Sequence, residues 1–265
     1  MEELNYTFLA SFLLVGISLL YSYKEGLGIE KKIAVGSVIA LVQLLALGVA
    51  LSFLFSFDSL VYYVGVWLFM CLYAAFIASR RVSLYGGGFV VSFVAIAASS
   101  FCVLLLLLLI GAISLKAKEV IPLSGMITGN ALNVYTQFAD RLKGEAKNRI
   151  SEIEGKTALG ADISESLSEA VRAASKASMM PTLNTLQAVG FIHIPGVTVG
   201  MILAGASPMK AVSFQLVIMF MMVSVAMFTA VFSKRMLIKR ILLLRRIKPL
   251  LNWMGPIRAS RKTTR

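Results

Sequence analysis

Apolar residues gather into seven runs along this chain, roughly Tyr6–Tyr23, Ile33–Phe57, Leu60–Ser79, Gly87–Ser114, Val120–Phe138, Thr182–Ala204 and Ala211–Phe232, with polar stretches between them. A helix needs about 17 to 25 apolar residues to cross the hydrocarbon core of a bilayer. In that core every backbone N–H and C=O must be satisfied within the chain, which a helix does by itself. The pattern predicts an all-α, polytopic membrane protein of about seven transmembrane helices.

One connection stands out. Roughly 40 polar residues, 139–180, separate the fifth and sixth runs, where most connections take a handful. Phe138, Leu142, Ala146, Ile150 and Ile153 recur at steps of three and four, the spacing of one helical stripe, and predict a helix to about Leu159. Gly160 offers its stop. Asp162, with Glu165 three residues on, reads as a capping-box start, and Ile163, Leu167, Val171 and Ala174 line a second helix reaching toward Pro181. The segment is expected to be a helical hairpin with ALGADIS at its tip. In the sixth run, Pro195 and Gly196 predict a break in the span.

Composition agrees with the pattern. Apolar residues make up 58% and charged residues 15%, and mean hydropathy is +0.83, whereas soluble domains carry about a quarter charged residues. The net charge of +13 would suit nucleic acid, but its distribution points elsewhere. Of the 26 Lys and Arg, 23 lie around Lys24–Lys32, at Arg80 and Arg81, in Asp140–Lys176 and in the tail 234–265; only Lys116, Lys118 and Lys210 fall in the alternate connections. The positive-inside rule then sets the N-terminus outside and the hairpin and basic tail in the cytoplasm, which requires an odd number of spans. The basic tail is read as holding topology and touching anionic lipid, with no nucleic-acid partner. The start, MEELNY, is acidic where a secretory signal is basic, so the first run is read as a spanning helix. Cys71 and Cys102 sit inside apolar runs without a CxxC pair, which suggests neither redox nor zinc chemistry.

The letters GKT occur in EIEGKTALGAD, Glu152–Asp162. A phosphate-binding P-loop needs a glycine five residues before the GK pair and a strand upstream; Ile150 and the charged RLKGEAKNRISEIE stand there instead. No nucleotide is expected at this stretch. No Asp, Glu, Lys or Arg lies in the middle of a span, which weighs against a cation site built of carboxylates; Asp58 and Glu119 sit near span ends. The spans carry amides and hydroxyls instead. Asn130, Asn133 and Gln137 stand at i, i+3 and i+7 of the fifth; Thr182, Asn184, Thr185 and Gln187 open the sixth; Gln215 stands alone in the seventh. Such residues either line a polar path or hydrogen-bond helices together for about 0.6–2 kcal/mol each. His193, the single histidine, cannot complete a metal site alone. Met219, Met221, Met222 and Met227 are soft-metal ligands or, more commonly, packing, so any metal site stays open. Gly196 and Gly200 form a GxxxG pair suited to helix packing within one subunit or between two.

Three longer stretches carry a resemblance: PLSGMITGNALN, ALGADISESL and MMPTLNTLQAVGFIHIPGVTVGMILAGASPMKAVSFQLVIMF. Together they resemble the YbbM/FetB family of ABC transporter permeases, which includes bacterial iron exporters and plant aluminium-tolerance permeases. The resemblance implies one permease domain over 1–265 in the cell (inner) membrane. It also implies a homodimer, a separate ATPase of the YbbL/FetA type that binds the ATP, and export of an iron-like metal ion or a related solute, without fixing which. This chain would then hold no cofactor and hydrolyse nothing. In ABC permeases a coupling loop carries a glutamate and, six residues on, a glycine. Glu154 and Gly160 stand at that spacing, with Leu159, Ala161 and Asp162 beside the glycine, while Gly155 and Lys156 depart from the usual alanines. Two other classes compete on the residues alone. An ion-coupled secondary transporter or channel predicts intramembrane acids or inverted repeats, and neither is found; a membrane scaffold predicts a polar row indifferent to substitution.

Overall fold

A computed structural model describes residues 2–55, 59–81 and 88–247. Phe57, Asp58, the connection 82–87 and the basic tail from residue 248 lie outside the described residues. Apart from one bridge between Val189 and His193, all regular structure among the described residues is helical. Four helices are long and apolar enough to cross a membrane, within Glu30–Ala50, Leu60–Arg80, Gly88–Leu109 and Pro208–Arg240, and Phe12–Lys24 is a shorter apolar helix. The protein is a polytopic all-α membrane protein, as its pattern predicts.

The chain divides into two compact units, Met1–Asp58 and Ser59–Arg265. In the first, α1 (Glu2–Lys24) and α2 (Glu30–Leu54) form a helical pair. Their link turns on Gly26 and Gly28, at φ 63 and 67, values that cost a residue with a Cβ. Ser22 Oγ donates to Glu30 Oε1 at 2.7 Å across the link. Val35, Val38 and Leu44 are exposed, which costs nothing where the solvent is lipid tails as apolar as leucine.

The second unit holds α3 (Leu60–Arg81), α4 (Gly88–Leu109), α5 (Ala117–Asn148), α6 (Ile150–Ala158), α7 (Ile163–Ser166), α8 (Ser168–Ala188), α9 (Gly196–Leu203) and α10 (Pro208–Ile247). Packing is centred on α5, which touches α3, α4, α8 and α10, while α10 also lies against α4 and α8. Ser92, Ala95, Ile96, Ser99 and Val103 bury one face of α4. Ala74, Ala78, Ala95 and Ala131 are buried where helices meet, and small side chains there let backbones approach closely.

Two helices outrun the bilayer. At 1.5 Å per residue, the 32 residues of α5 and the 40 of α10 extend about 48 and 60 Å, well beyond a 30 Å core. Their polar ends build a second core, in which Phe138, Leu142, Ala146 and Ile153 meet Ile163, Leu167, Val171, Ala174 and Leu237. Both stripes expected of the hairpin are therefore buried, except for Ile150, which is half-buried. The hairpin itself differs from a free pair of helices, because its first arm is the continuation of α5 and it packs on Leu237 of α10. Its arms are also jointed, at Arg149 and at Leu167.

The sixth run, Thr182–Ala204, is not one helix. The expected break occurs at Pro195 but begins earlier, at Val189. Gly190 turns at φ 97, with Phe191 and Ile192 exposed beside it. The eight residues of α9 are only about 12 Å long, so the run consists of two helical pieces joined by a turn.

Candidate functional site

Two helix faces with the spacing i, i+3, i+4, i+7 meet in the second unit. Asn130, Asn133, Val134 and Gln137 come from α5, and Ser178, Pro181, Thr182 and Thr185 from α8; Met219 and Met222 of α10 close the third side around a cavity of ≈ 150 Å³. No lining side chain titrates. Asn130 is buried and donates from Nδ2 to the Met222 carbonyl at 2.9 Å, fastening α5 to α10. Asn133 and Gln137 are exposed, and neither side chain has a hydrogen-bond partner among the described residues. Thr185 Oγ1 donates to the Pro181 carbonyl at 3.0 Å. Proline has no N–H, so at the level of the cavity α8 lacks the bond that would reach the Ala177 carbonyl.

Such a cavity offers neutral amide, hydroxyl and thioether groups, able to replace part of a hydration shell without the desolvation cost of a buried charge. Among the described residues no group of three or more His, Cys, Asp or Glu could hold a metal ion. The other candidates lie elsewhere. Asn184 and Gln187 are exposed outside the cavity, Gln187 on the opposite face of α8. Gln215 is buried and its Oε1 accepts from Thr198 Oγ1 at 3.3 Å, tying α9 to α10. Met221 is buried in the core and Met227 is exposed. A Cβ added at Gly196 or Gly200 would meet nothing within 4 Å, so neither glycine serves close packing within the subunit. His193 is exposed in the turn.

The hairpin tip is built differently. Gly160 stands at φ 93, its N–H donates to Thr157 O at 3.1 Å, and the Ala161 N–H donates to Lys156 O at 3.0 Å. This six-to-one closure ends α6 in the left-handed conformation that glycine adopts freely. Leu159 beside it is 91% exposed; Glu154 and Asp162 are exposed and Ala161 is half-buried. The capping-box bond expected from Asp162 does not form. The backbone carbonyl of Asp162 instead accepts from Ser166 N–H at 2.8 Å and Ser166 Oγ at 3.0 Å. Gly155, Lys156 and Thr157 lie inside α6, with backbone groups committed to the helix. A charge cluster clamps α6 to α8. Arg149 pairs with Glu145, Glu152 and Glu169, and Lys156 with Glu152 at 2.7 Å and Glu169 at 3.6 Å. The Lys156 hydrogen bond is the main reason that the Glu152 carboxyl is held below its ordinary value.

Ser178, Pro181 and Val134 are lining residues that sequence reading passes over. The signal was present, since 178, 181, 182 and 185 repeat the spacing of 130, 133, 134 and 137. It appears only when the helix is continued through Pro181.

No solved structure matches the chain. Among curated proteins, "UPF0014 membrane protein YjkA" of Bacillus subtilis (strain 168) is 35% identical, covering 87% of this chain and 92% of that protein. "Probable iron export permease protein FetB" of Escherichia coli (strain K12) is 31% identical over 86% of this chain and 88% of its own length. "Protein ALUMINUM SENSITIVE 3" of Arabidopsis thaliana is 30% identical over 84% and 82%. The profile of the Uncharacterised protein family (UPF0014) matches residues 5–242, nearly the whole chain, and the chain belongs to that family.

Proposed function

We propose that this chain is the permease subunit of an ABC transporter. In this reading it works as a homodimer in the cell membrane with a separate ATPase of the YbbL/FetA type, which binds and hydrolyses the ATP and docks on the tip around Glu154, Leu159, Gly160, Ala161 and Asp162. The basic connections belong on the ATPase side and the N-terminus on the other. The observation that carries the reading is the reach of α8. It begins at Ser168 just past the tip and continues as one helix to the cavity residues Thr182 and Thr185, so about 25 Å of continuous helix joins the two.

The mechanism follows from that helix. When the ATPase closes, it displaces the exposed Leu159 and Gly160 corner; the ion-pair clamp of Arg149 and Lys156 on Glu169 passes the motion from α6 to α8. Pro181, with one backbone bond missing, gives α8 a point at which to bend, and the bend opens the Asn133, Gln137 and Thr182 faces to one side of the membrane and then the other. The cargo is read from the relative named an iron export permease as a metal ion moved outward. Neutral amide and hydroxyl oxygens suit brief contact with an ion that keeps its own ligands.

The test is co-purification with an ATPase of the YbbL/FetA type from the same organism, followed by ATP hydrolysis in the complex. A leucine at Gly160 must adopt a left-handed backbone at a cost of roughly 1–2 kcal/mol, and Glu154→Lys reverses a charge at the tip. Both variants should lose most of the ATPase association. Normal binding and normal stimulation by both would refute the docking site.

A further inference from the structure

A second recess of ≈ 570 Å³ lies among α7, α8 and α10, clear of the cavity. Its two ends differ. Asp162 and Glu165 line the end at the tip, and Arg172, Lys176 and Lys234 the other, with Val171 and Ile238 in the wall. Along the chain, Glu165 lies about 10 Å from Arg172 and about 16 Å from Lys176, beyond ion-pair reach, so the acids leave the basic end free to hold an anion. All three cations are exposed, and none forms an ion pair among the described residues. The cations nearer the tip, Arg149 and Lys156, are by contrast neutralised by Glu152 and Glu169.

Packing fixes the depth of the basic end. Met179 packs in one layer with Val134, Ala226 and Ala230. The next layer toward the hairpin holds Phe138, Ala174 and Leu237. Lys176 and Lys234 fall between the two layers, and the uncharged stretch of α10 that begins at Ala211 ends at Ser233. Apolar spans therefore give way to charge at this level on α8 and α10 together. That is the depth of lipid headgroups, where each Lys or Arg attracts anionic lipid.

We propose that Arg172, Lys176 and Lys234 clasp the phosphate of an anionic phospholipid headgroup in the leaflet on the hairpin side. The recess is large enough for a glycerol phosphate. Arg172 supplies a planar fork for two phosphate oxygens and the lysines supply point charges. Val171 and Ile238 offer the apolar wall that a lipid uses and free phosphate does not. Lipid bound there bridges α8 and α10 and stiffens the helix between tip and cavity. The site requires no ATPase, so it stands or falls apart from the transport reading.

The experiment uses the purified full chain in detergent, with phosphatidylglycerol or phosphatidylcholine added in steps, and reads the thermal unfolding midpoint and the lipid retained in native mass spectra. Phosphatidylglycerol should raise the midpoint saturably and remain bound, and phosphatidylcholine should do neither. The combined variant Arg172→Gln, Lys176→Gln, Lys234→Gln should need on the order of a hundredfold more phosphatidylglycerol for half the effect. The charge-keeping set Arg172→Lys, Lys176→Arg, Lys234→Arg should retain at least part of the binding, which separates lost charge from misfolding. Neutralising Lys143, Lys147 and Arg235 instead should change little. Equal protection by phosphatidylcholine, or equal loss in that control set, would overturn the site. Saturation by inorganic phosphate alone would reassign it to a soluble anion and overturn the lipid.

Discussion

Two groups of polar side chains lie within one helical bundle, and they are satisfied in opposite ways. Around α4 the buried polar side chains find partners within the protein, Ser233 Oγ of α10 being the exception among the described residues. Thr229 Oγ1 donates to Ser99 Oγ at 2.9 Å, Trp67 Nε1 donates to Ser100 Oγ at 3.1 Å, and both serines return protons to carbonyls of their own helix. On the cavity side, Asn133 and Gln137 carry larger and more polar groups that stay open. An unsatisfied amide in hydrocarbon costs several kcal/mol, so those groups are tolerable only beside water or a polar cargo. Side-chain type does not separate glue from lining; what separates them is whether the opposing helix brings a partner.

The comparison can be broken first at the cavity, where the largest effect is expected. Gln137→Leu together with Thr182→Val should lower cargo transport in reconstituted vesicles by roughly tenfold or more, equivalent to about 1.4 kcal/mol on the limiting step. Unfolding stability should move by no more than about 0.5 kcal/mol. A clear loss of stability with transport intact would turn these residues into glue. Asn130→Leu tests the residue that does both jobs. Losing its bond to the Met222 carbonyl should cost about 0.6–1.7 kcal/mol of unfolding free energy, with a partial loss of transport. Thr229→Val should act on stability alone. Ser99 keeps its bond to Ala95 O at 2.8 Å, so the cost should be near 0.6 kcal/mol, and unchanged transport is the control that the seam is structural.

Much of this was legible in the residues, and the exceptions have physical causes. The stripes Phe138 to Ile153 and Ile163 to Ala174 were readable because a helix that buries one face must repeat at three and four. Gly160 was readable because only a left-handed corner needs it. Pro181 misled, since a proline inside a helix removes one hydrogen bond without ending the helix when packing on both sides repays it; α8 has α5 and α10 for neighbours. Stopping at Pro181 hid the face formed by Ser178, Pro181, Thr182 and Thr185. The turn that starts at Val189 was hidden for a related reason: the run is apolar throughout, and apolarity does not say where a helix stops. Asn130 and Asn133 are the same residue three positions apart, and their fates differ because α10 covers one and not the other. That the hairpin's first arm continues α5 was hidden as well, because the end of an apolar run marks where lipid ends and not where a helix ends.

The smallest expected effect concerns the clamp between α6 and α8, and its sign follows from two opposite shifts. The hydrogen bond from Lys156 holds the Glu152 carboxyl below its ordinary 4.5. Its contribution is therefore complete above that value and lost as pH falls through the lower folded value. The Glu152 hydrogen bond raises the Lys156 ammonium above 10.5, so its contribution is complete below that value and lost only as pH climbs through the higher folded one. Between these limits the clamp should be indifferent to pH. Hydrogen exchange over 150–158, corrected for the intrinsic rate, should be flat between those limits and, on the acid side, should rise only as pH falls below 4.5, through the lowered folded value of Glu152. High salt should loosen the segment at neutral pH, because exposed pairs are screened. In Lys156→Met the acid step should shrink, since the largest cause of the Glu152 shift is gone. An acid step of full size in that variant would mean that Arg149 alone holds Glu152, and the joint at residue 149 would then be the element that ties the tip to α8.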